Sequence, residues 1–526
     1  MVAIDTIDEH EALIGALLDA RRWPQGGRDR QRIDTHISTV VLAGDCAYKI
    51  KKPLDLGFLD FRSLDARKAA CDEELRLNSR LAPTLYQSVC AITGSVSQPT
   101  VDGVGEAIDW AVRMRRFDPD AVLSNPAIPI DESLIDDLAQ TVAHFHVCAD
   151  LAAPATAERA QATGDMPEMK AVLANFERLR ELGAPFVDPV KTLESWTVAH
   201  AGALRPVLQW RREHGCIREC HGDLHLGNIA LIEGEAVVFD AIEFDPDLRW
   251  IDVANDIAFL TMDLCQRDMQ AMAFRFIDAY LSIGGDYALL RVLRFYEVYR
   301  ALVRAKISAI RMQQVGEGDE RDVARQSLQR YLALAQTLAQ TRRGALLITH
   351  GVSGSGKSYA SAGLAQRFGG VRLRSDVERK RLLGLAADAD ATDRGGYGAE
   401  VTRRTYQRLA ELAETVIGAG YTAIVDATFL VHADRARFAQ LAKRCEVPFA
   451  ILDCSAAPEV LRARITARQR EMGNVSDADL AVLERQLERV EPLSAGERAV
   501  SLPITPDVPL DLAALQRMLG STDQSA

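Results

Sequence analysis

The spacing of apolar and polar positions predicts a small β-sheet near the amino terminus. Two β-branched apolar runs, ISTVVLA and CAYKIKK, flank Gly44 and Asp45, which is typical of a hairpin with a glycine-containing turn. Helical periodicity over 8–20 and over 63–81, the latter beginning at Ser63 as an N-cap, predicts helices beside these strands. The runs LYQSVCAITGSV and AIDWAVRMRRF favour two further strands, whereas RRWPQGGRDRQR is typical of a loop.

The pattern then changes twice along the chain. Periodicity near 3.6 dominates from about 130 to 215 and again over 252–340, which predicts a helix-rich region. From Ala345 onward, short apolar runs alternate with helical stretches, beginning with ALLITHG and continuing through VRLRSD, TAIVDAT, FAILDC and AVSLPIT. Strands that alternate with helices imply crossover connections and a parallel sheet. We therefore predict an α+β domain over 1–340 and an α/β domain over 341–526.

A glycine-rich loop joins the first strand and helix of the second domain. The segment GVSGSGKS satisfies the pattern G-x-x-x-x-G-K-[ST] in full. Glycines let backbone N–H groups surround phosphate oxygens, the lysine reaches the terminal phosphates, and the last serine is a Mg²⁺ ligand. The sequence therefore predicts an ATP site made by the residues Gly351, Ser353, Gly354, Ser355, Gly356, Lys357 and Ser358.

Two carboxylates follow later strands of this domain. Ligands gather at the carboxyl ends of parallel strands, where Asp376 closes VRLRSD and Asp426 closes TAIVDAT. We predict Asp426 in the Mg²⁺–water network and Asp376 as the group that orients or deprotonates an acceptor hydroxyl. The alternative is that each aspartate caps the following helix.

An arginine-rich helical run, LRARITARQRE, comes after these strands. Arginines at this position suit a lid that closes over the transferred phosphate, with Arg464 and Arg468 as the predicted nucleotide contacts. A solvated basic face is the alternative interpretation.

A second phosphate-related motif lies in the first domain. In HGDLHLGN, Asp223 and Asn228 stand five residues apart, and the apolar run AVVFD ends soon afterwards at Asp240. Phosphoryl transfer needs a base near the attacking hydroxyl and oxygen ligands for a metal, so we predict Asp223 as the base and Asn228 and Asp240 as Mg²⁺ ligands. An Asx-rich turn between two apolar segments is the alternative.

The amino-terminal strands supply a candidate phosphate-binding pair. Lys49 lies on the run CAYKIKK, and Glu74 lies on the helix that follows. A strand lysine held by a helix glutamate grips nucleotide phosphates in kinase-like folds. Glu73 is a rival for Glu74, and a plain basic strand end made by Lys49, Lys51 and Lys52 is the alternative to the pair.

These motifs resemble two kinase families. The order GVSGSGKS, RSDVERKRL, VDATFL and the arginine-rich helix resembles small P-loop kinases of the gluconate-kinase and zeta-toxin type over roughly 345–505. Residues 219–245, and less closely 36–118, resemble the aminoglycoside phosphotransferase family, which implies a two-lobed protein-kinase-like fold. The first hairpin lacks the G-x-G-x-x-G loop of protein kinases. The tandem order resembles a bacterial class of fused proteins and implies no substrate.

Composition restricts the partners, metal sites and membrane segments that we expect for this chain. A net charge of -12 argues against general nucleic-acid binding, nine scattered cysteines indicate neither a disulfide framework nor a zinc site, and no run is apolar enough for a membrane span. We expect a cytoplasmic, bifunctional kinase that uses ATP and Mg²⁺ to phosphorylate small-molecule hydroxyl acceptors. The alternative is a regulatory or toxin-like kinase in which one module is a nucleotide sensor or acts on a protein or nucleotide-sugar target.

Overall fold

A computed structural model describes residues 4–18, 30–57, 59–151, 167–385, 398–468, 479–505 and 510–520. Spatial contacts divide these residues into two compact units. The first contains described residues within 1–134, 145–174 and 208–263, and the second contains those within 135–144, 175–207 and 264–526. The domain division predicted at residue 340 follows the motifs instead and remains a prediction.

The first unit is built on an antiparallel sheet. Among the described residues its strands have the order β1-β2-β3-β6-β4-β5. Their bounds are Arg30–Asp34 (β1), Ser38–Ala43 (β2), Cys46–Lys51 (β3), Tyr86–Ser95 (β4), Gln98–Val101 (β5) and Ala107–Arg115 (β6). The predicted hairpin is present, since Ala43 pairs with Cys46 across Gly44 and Asp45. The predicted loop is partly wrong, because Arg30–Asp34 pairs with β2 along its whole length.

Apolar side chains cover both faces of this sheet, so every residue of β3 is buried. On one face, Tyr48 and Ile50 pack in a core with Leu13 and Ile14 of helix α1 (Ile7–Leu17). On the other, Ala47 packs near Cys71 of helix α2 (Leu64–Asn78). Ser63 caps α2 as predicted, accepting a hydrogen bond from the backbone N–H of Ala66 at 3.1 Å.

Short strands follow the sheet and carry the HGDLHLGN loop. Strand β7 (Ile217–Glu219) pairs with β10 (Trp250–Asp252), and β8 (Ile229–Ile232) forms a hairpin with β9 (Glu235–Val238). The helices of this stretch and the next are α3 (Glu132–Cys148), α4 (Pro167–Leu179), α5 (Val187–Glu213), α6 (Val253–Gln266), α7 (Gln270–Gly284), α8 (Leu290–Gln314) and α9 (Asp319–Leu338). The helix-rich pattern predicted for about 130–215 and 252–340 is confirmed over the described residues, and the short strands lie between these two ranges, with β10 ending at Asp252.

The second unit contains a parallel sheet in which the described strands have the order β12-β13-β11-β14-β15. Their bounds are Leu346–His350 (β11), Gly370–Arg374 (β12), Thr422–Asp426 (β13), Phe449–Cys454 (β14) and Ser501–Ile504 (β15). The helices around them are α10 (Lys357–Phe368), α11 (Ser375–Leu382), α12 (Ala399–Gly418), α13 (His432–Arg444), α14 (Pro458–Arg468), α15 (Leu480–Arg489), α16 (Ala495–Arg498) and α17 (Leu512–Leu519). The predicted α/β pattern is confirmed at each of the five strands.

The fold class predicted from sequence is therefore correct: a region built on an antiparallel sheet precedes an α/β domain with a parallel sheet. β11 and β13 are buried at every position. This burial explains why their sequences are continuous apolar runs and not alternating ones. Among the described residues, no helix is both long and apolar enough to cross a bilayer.

Candidate functional sites

The first site centres on Lys49, at the middle of β3. Its Nζ donates to Glu74 Oε1 at 2.8 Å and to Asp240 Oδ1 at 2.5 Å. Glu74 projects from α2, and Asp240 lies just beyond β9. Three residues chosen from sequence therefore meet at one point of the first unit. Glu73 is elsewhere, bound to Arg76 and Arg249 at 2.7 Å each.

A second lysine and a second glutamate join this group. Lys51 Nζ donates to Glu74 Oε2 at 2.5 Å and to Glu243. Its position two residues after Lys49 placed it on the same strand face, so the sequence held a signal for it. Glu243 carried no such signal, because it belongs to no motif and lies 192 residues from Lys51.

Burial and the neighbouring charges shift the pKa values of these lysines and glutamates. Glu74 is fully buried. Burial alone would raise the pKa of its carboxyl, but the ammonium groups of Lys49 and Lys51 outweigh burial and lower the pKa to about 2. For Lys49, burial opposes the charge, yet Asp240 and Glu74 raise its pKa well above the ordinary value. The lysines and Glu74 are therefore charged at neutral pH.

The backbone at Asp240 is strained and held from two sides. Its φ of 65° lies in the left-handed region, which costs a residue with a side chain on the order of 1–3 kcal/mol. The Asp240 N–H donates to the Tyr86 hydroxyl at 3.2 Å, and the Ala241 N–H donates to Asn78 Oδ1 at 2.8 Å. Asn78 lies one turn after Glu74 on α2, so a single helix fixes both the glutamate and the segment that follows Asp240.

The HGDLHLGN loop places Asp223 against Asn228. Asn228 Nδ2 donates to Asp223 Oδ2 at 2.8 Å and to the Asp223 carbonyl at 3.0 Å. His225 Nδ1 accepts from the Gly227 N–H at 3.0 Å, so in the neutral ring the proton lies on Nε2, which is 3.3 Å from Asp223 Oδ2. The Asp223 side chain is oriented by both neighbours and remains 36% exposed.

Buried hydrogen bonds brace this loop from behind. His221 Nδ1 accepts from the Asp223 N–H at 3.2 Å, so the neutral ring carries its proton on Nε2 and donates to the Phe239 carbonyl at 2.9 Å. Burial lowers the pKa of His221, which keeps the ring neutral. Asp256 accepts from the N–H groups of His221 and Gly222 at 3.1 and 2.8 Å. His221 and Asp256 therefore connect the loop to its surroundings by buried hydrogen bonds.

The hairpin β8–β9 brings the two candidate metal ligands to the same end. Asn228 precedes β8, Asp240 follows β9, and the Phe239 N–H donates to the Asn228 carbonyl at 2.9 Å. An amide oxygen and a carboxylate are ligands that Mg²⁺ accepts, and Asp240 is 41% exposed. The residues present therefore fit a divalent cation beside Asp223.

The second site is the glycine-rich loop between β11 and α10. Gly351, Gly354 and Gly356 have φ values of 133°, 83° and 98°, which favour glycine. At Gly351 the space is also closed, since a Cβ atom there would lie 2.2 Å from the Cys454 carbonyl oxygen. The Ser353 N–H donates to Gln486 Oε1 at 2.7 Å, and Ser355 is buried within the loop.

Side chains around the loop include the predicted lysine and aspartate. Lys357 Nζ donates to the Val352 carbonyl at 2.8 Å. Asp426 is buried at the end of β13, and the Ser361 hydroxyl lies 3.3 Å from its Oδ2. Ser361 also lies 3.1 Å from the Ser358 carbonyl. Asp426 is thus connected through Ser361 to the segment that contains Ser358, the predicted Mg²⁺ ligand.

The predicted acceptor-side aspartate lies at the start of α11, and the predicted lid arginines belong to α14. Asp376 accepts from Arg379 Nη1 at 2.8 Å, one turn further along the helix. Arg464 Nη1 donates to the Gly354 carbonyl at 3.1 Å, which places it on the glycine-rich loop. The side chain of Arg468 lies outside the described residues.

A cavity of about 900 Å³ is bordered by several of these side chains. It is lined by Gly354, Lys357, Ser358, Asp376 and Asp426. Sequence reasoning missed further lining residues, which are Arg374, Arg379, Arg403, Tyr406, Arg485, Gln486 and Arg489. Arg379 was detectable, since it stands three residues after Asp376 on a predicted helix. The residues of α12 and α15 come from remote segments, and only the tertiary fold brings them to the loop.

Known proteins are similar to this chain over part or most of its length. The model of a family described as an AAA domain matches residues 346–493, which include the glycine-rich loop, Asp376, Asp426 and Arg464. Over 477 residues the chain is 30% identical to uncharacterized proteins of Mycobacterium tuberculosis and Mycobacterium bovis, covering 88% of this chain and 91% of theirs.

Solved structures are similar to parts of this chain. A choline/ethanolamine kinase family protein from Mesorhizobium loti aligns with 62% of this chain and 99% of its own, at 13% identity and a TM-score of 0.36. A gluconokinase from Sinorhizobium meliloti aligns with 34% of this chain and 95% of its own, at 20% identity and a TM-score of 0.24.

Proposed function

The chain belongs to the same family as these mycobacterial proteins, and we propose that it is a bifunctional ATP-dependent phosphotransferase with two separate active sites. The supporting observation is that the two sets of candidate residues lie in different units: Lys49, Glu74, Asp223, Asn228 and Asp240 in one, and the glycine-rich loop with Asp376 and Asp426 in the other. We propose functional modules of 1–340 and 341–526, each acting on a hydroxyl group of a small molecule.

In the first site, Lys49 binds the nucleotide phosphates and Glu74 holds Lys49 in place. Asn228 and Asp240 would hold Mg²⁺, which neutralises developing phosphate charge when bound. Asp223 accepts the proton of the acceptor hydroxyl. The hydroxyl oxygen bonds to the γ-phosphorus while the bond between that phosphorus and the ADP oxygen breaks. Asn228 and His225 keep the Asp223 carboxylate oriented for this role.

In the second site, the backbone N–H groups of the glycine-rich loop bind the ATP phosphates and Lys357 contacts the terminal ones. Ser358 and Asp426 would hold Mg²⁺, which again supplies charge neutralisation. Asp376 orients or deprotonates the acceptor hydroxyl, and Arg379 fixes its carboxylate. Arg464, which already contacts the loop, stabilises negative charge on the transferred group, and Arg468 is proposed to act with it.

Separate inactivation of the sites tests this proposal. The purified chain, Asp223→Ala, Lys357→Ala and the double variant are given Mg-ATP and a panel of small alcohols, and phosphorylated products are detected by mass spectrometry. We expect each single variant to lose a different product and the double variant to lose both. Asp247→Ala and Lys443→Ala, at exposed positions, are matched controls.

Particular outcomes overturn the proposal. If both single variants and the double variant retain every product, neither site transfers phosphate. If Asp223→Ala changes nothing while Lys357→Ala abolishes all products, the first site is a nucleotide sensor and the protein has one active site. Phosphate found on a protein or nucleotide-sugar target, with none on small alcohols, supports the regulatory alternative instead.

A further inference from the structure

Strand β3 places two lysines on one face, and both bind the same glutamate. Lys49 uses Oε1 of Glu74, whereas Lys51 uses Oε2, at 2.8 and 2.5 Å. Each lysine also binds one carboxylate from the segment that follows β9, Asp240 for Lys49 and Glu243 for Lys51. Glu74 is thus shared by two cations, and two parallel ion pairs connect β3 with the 240–243 segment.

The two lysines differ in their surroundings. Asp240, the second partner of Lys49, is 41% exposed, so Lys49 borders a region that a ligand can reach. Glu243, the second partner of Lys51, is 3% exposed, and the Lys51 side chain itself is fully enclosed. Burial opposes the charge on Lys51, yet Glu243 and Glu74 raise its pKa above the ordinary value. Lys51 is therefore a charged group with no access to a ligand.

This enclosure assigns different tasks to the two cations. Lys49 can exchange Asp240 for another anion while Glu74 still holds it. Lys51 keeps the second oxygen of Glu74 and the carboxylate of Glu243 fixed during such an exchange, because removing a buried cation from two carboxylates is strongly unfavourable. The Glu243 pair also fixes the segment that begins with Asp240, a task it shares with Asn78 and Tyr86.

We propose that Lys51 and Glu243 are positioning residues of the first nucleotide site: together they hold Glu74 and the Asp240 segment so that Lys49 alone changes partner when Mg-ATP binds. The inference rests on the proposed function of that site. It predicts a nucleotide site that is assembled in advance, in which the glutamate of α2 does not move away from its lysine.

Binding of Mg-ATP to the full chain carrying Lys357→Ala tests the inference, because the second site is then disabled. In this parent we compare Lys51→Met, Glu243→Gln and the paired change Lys51→Met with Glu243→Met. We expect Lys51→Met to raise the Kd by about tenfold or more and to lower the Tm, since it leaves buried carboxylates short of a cation. Glu243→Gln keeps an acceptor for Lys51, so its Kd should stay within about threefold of the parent.

The paired variant separates positioning from stability. The paired change also removes Glu243, the carboxylate that Lys51→Met leaves without its lysine, while Glu74 keeps Lys49, so the Tm should recover towards the parent value. The Kd should remain raised, because nothing then holds the second oxygen of Glu74. Lys52→Met is the matched control: Lys52 bonds to the Thr35 carbonyl at 2.7 Å, away from the site, and should leave the Kd unchanged.

The results that would overturn the inference alone differ from the result that would overturn the proposed function as well. Recovery of both Tm and Kd in the paired variant makes the pair purely structural and overturns the inference. A folded Lys51→Met protein with the parent's Kd does the same. Absence of Mg-ATP binding in the parent overturns the proposed function of the first site and the inference with it.

Discussion

The two candidate phosphate sites differ in the chemical groups that form them. The first depends on buried side-chain charges, in which Lys49 and Lys51 share Glu74 and bind Asp240 and Glu243. The second depends on backbone conformation, with positive φ values at Gly351, Gly354 and Gly356 in a loop at the start of a helix. By the proposed function, the first site would bind phosphate with a cation held by a carboxylate, and the second with backbone N–H groups that depend on the path of the chain.

This difference predicts how far a side-chain substitution in each site affects the stability of the protein as well as nucleotide binding. Charges buried in the first site are part of the core of the unit, so a side-chain change there should affect folding and binding together. In the second site Lys357 lies at the start of α10 and lines a cavity, so its removal should affect binding without affecting folding. The four predictions below test this contrast, from the largest expected effect on stability to the smallest.

The largest loss is expected for Glu74→Ala. Removing the shared carboxylate leaves Lys49 and Lys51 buried with fewer partners, which should lower the free energy of unfolding by about 4 kcal/mol. Chemical denaturation measures this change. The adjacent Glu73→Ala is the matched control and should cost less than about 1 kcal/mol, because the Glu73 side chain is partly exposed. Equal losses in the two variants would contradict the contrast.

Lowering the pH should remove the stabilising contribution of the same carboxylate, Glu74. Since the pKa of Glu74 falls to about 2 in the folded state, its contribution is present above its ordinary pKa and lost as the pH falls from about 4.5 towards 2. That contribution corresponds to about 3 kcal/mol. The difference in unfolding free energy between the native chain and Glu74→Gln, measured against pH, should shrink over this range. A difference independent of pH would show that Glu74 is not ionised by its neighbours.

In the second site, Gly351→Ala should cost about 3 kcal/mol, because the new Cβ meets the Cys454 carbonyl and the φ of 133° is unfavourable. ATP binding at the glycine-rich loop should be lost as well. Gly363→Ala is the matched control, since this helical position has open space and should gain up to about 1 kcal/mol. Normal stability and binding in Gly351→Ala would argue against a conformation that requires glycine.

The smallest effect on stability is expected for Lys357→Ala. Its ammonium binds the Val352 carbonyl beside the cavity, so the unfolding free energy should change by no more than about 0.5 kcal/mol. Nucleotide binding at this loop should nevertheless be abolished, so nucleotide titration should show one binding site per chain where the native chain shows two. A large loss of stability would place Lys357 in the same class as Lys51.

Much of the fold was predictable because its signals are local. The hairpin at Gly44 and Asp45, the Ser63 cap and the five strands of the parallel sheet each depend on residues close together in sequence. Strand β1 was missed because its residues are mostly polar and exposed, and only pairing with β2 makes them a strand. For an edge strand, hydrogen bonding to a neighbour can outweigh an unfavourable local pattern.

The glycine-rich loop was determined by the sequence alone, because glycine spacing fixes the backbone path within eight residues. The choice of Glu74 over Glu73 was decided by the fold: the rotation of α2 directs Glu74 towards β3 and Glu73 towards Arg76 and Arg249. Glu243 was decided by the fold entirely. Its pairing with Lys51 spans 192 residues, and such a contact forms only when packing brings two distant segments into the same buried space.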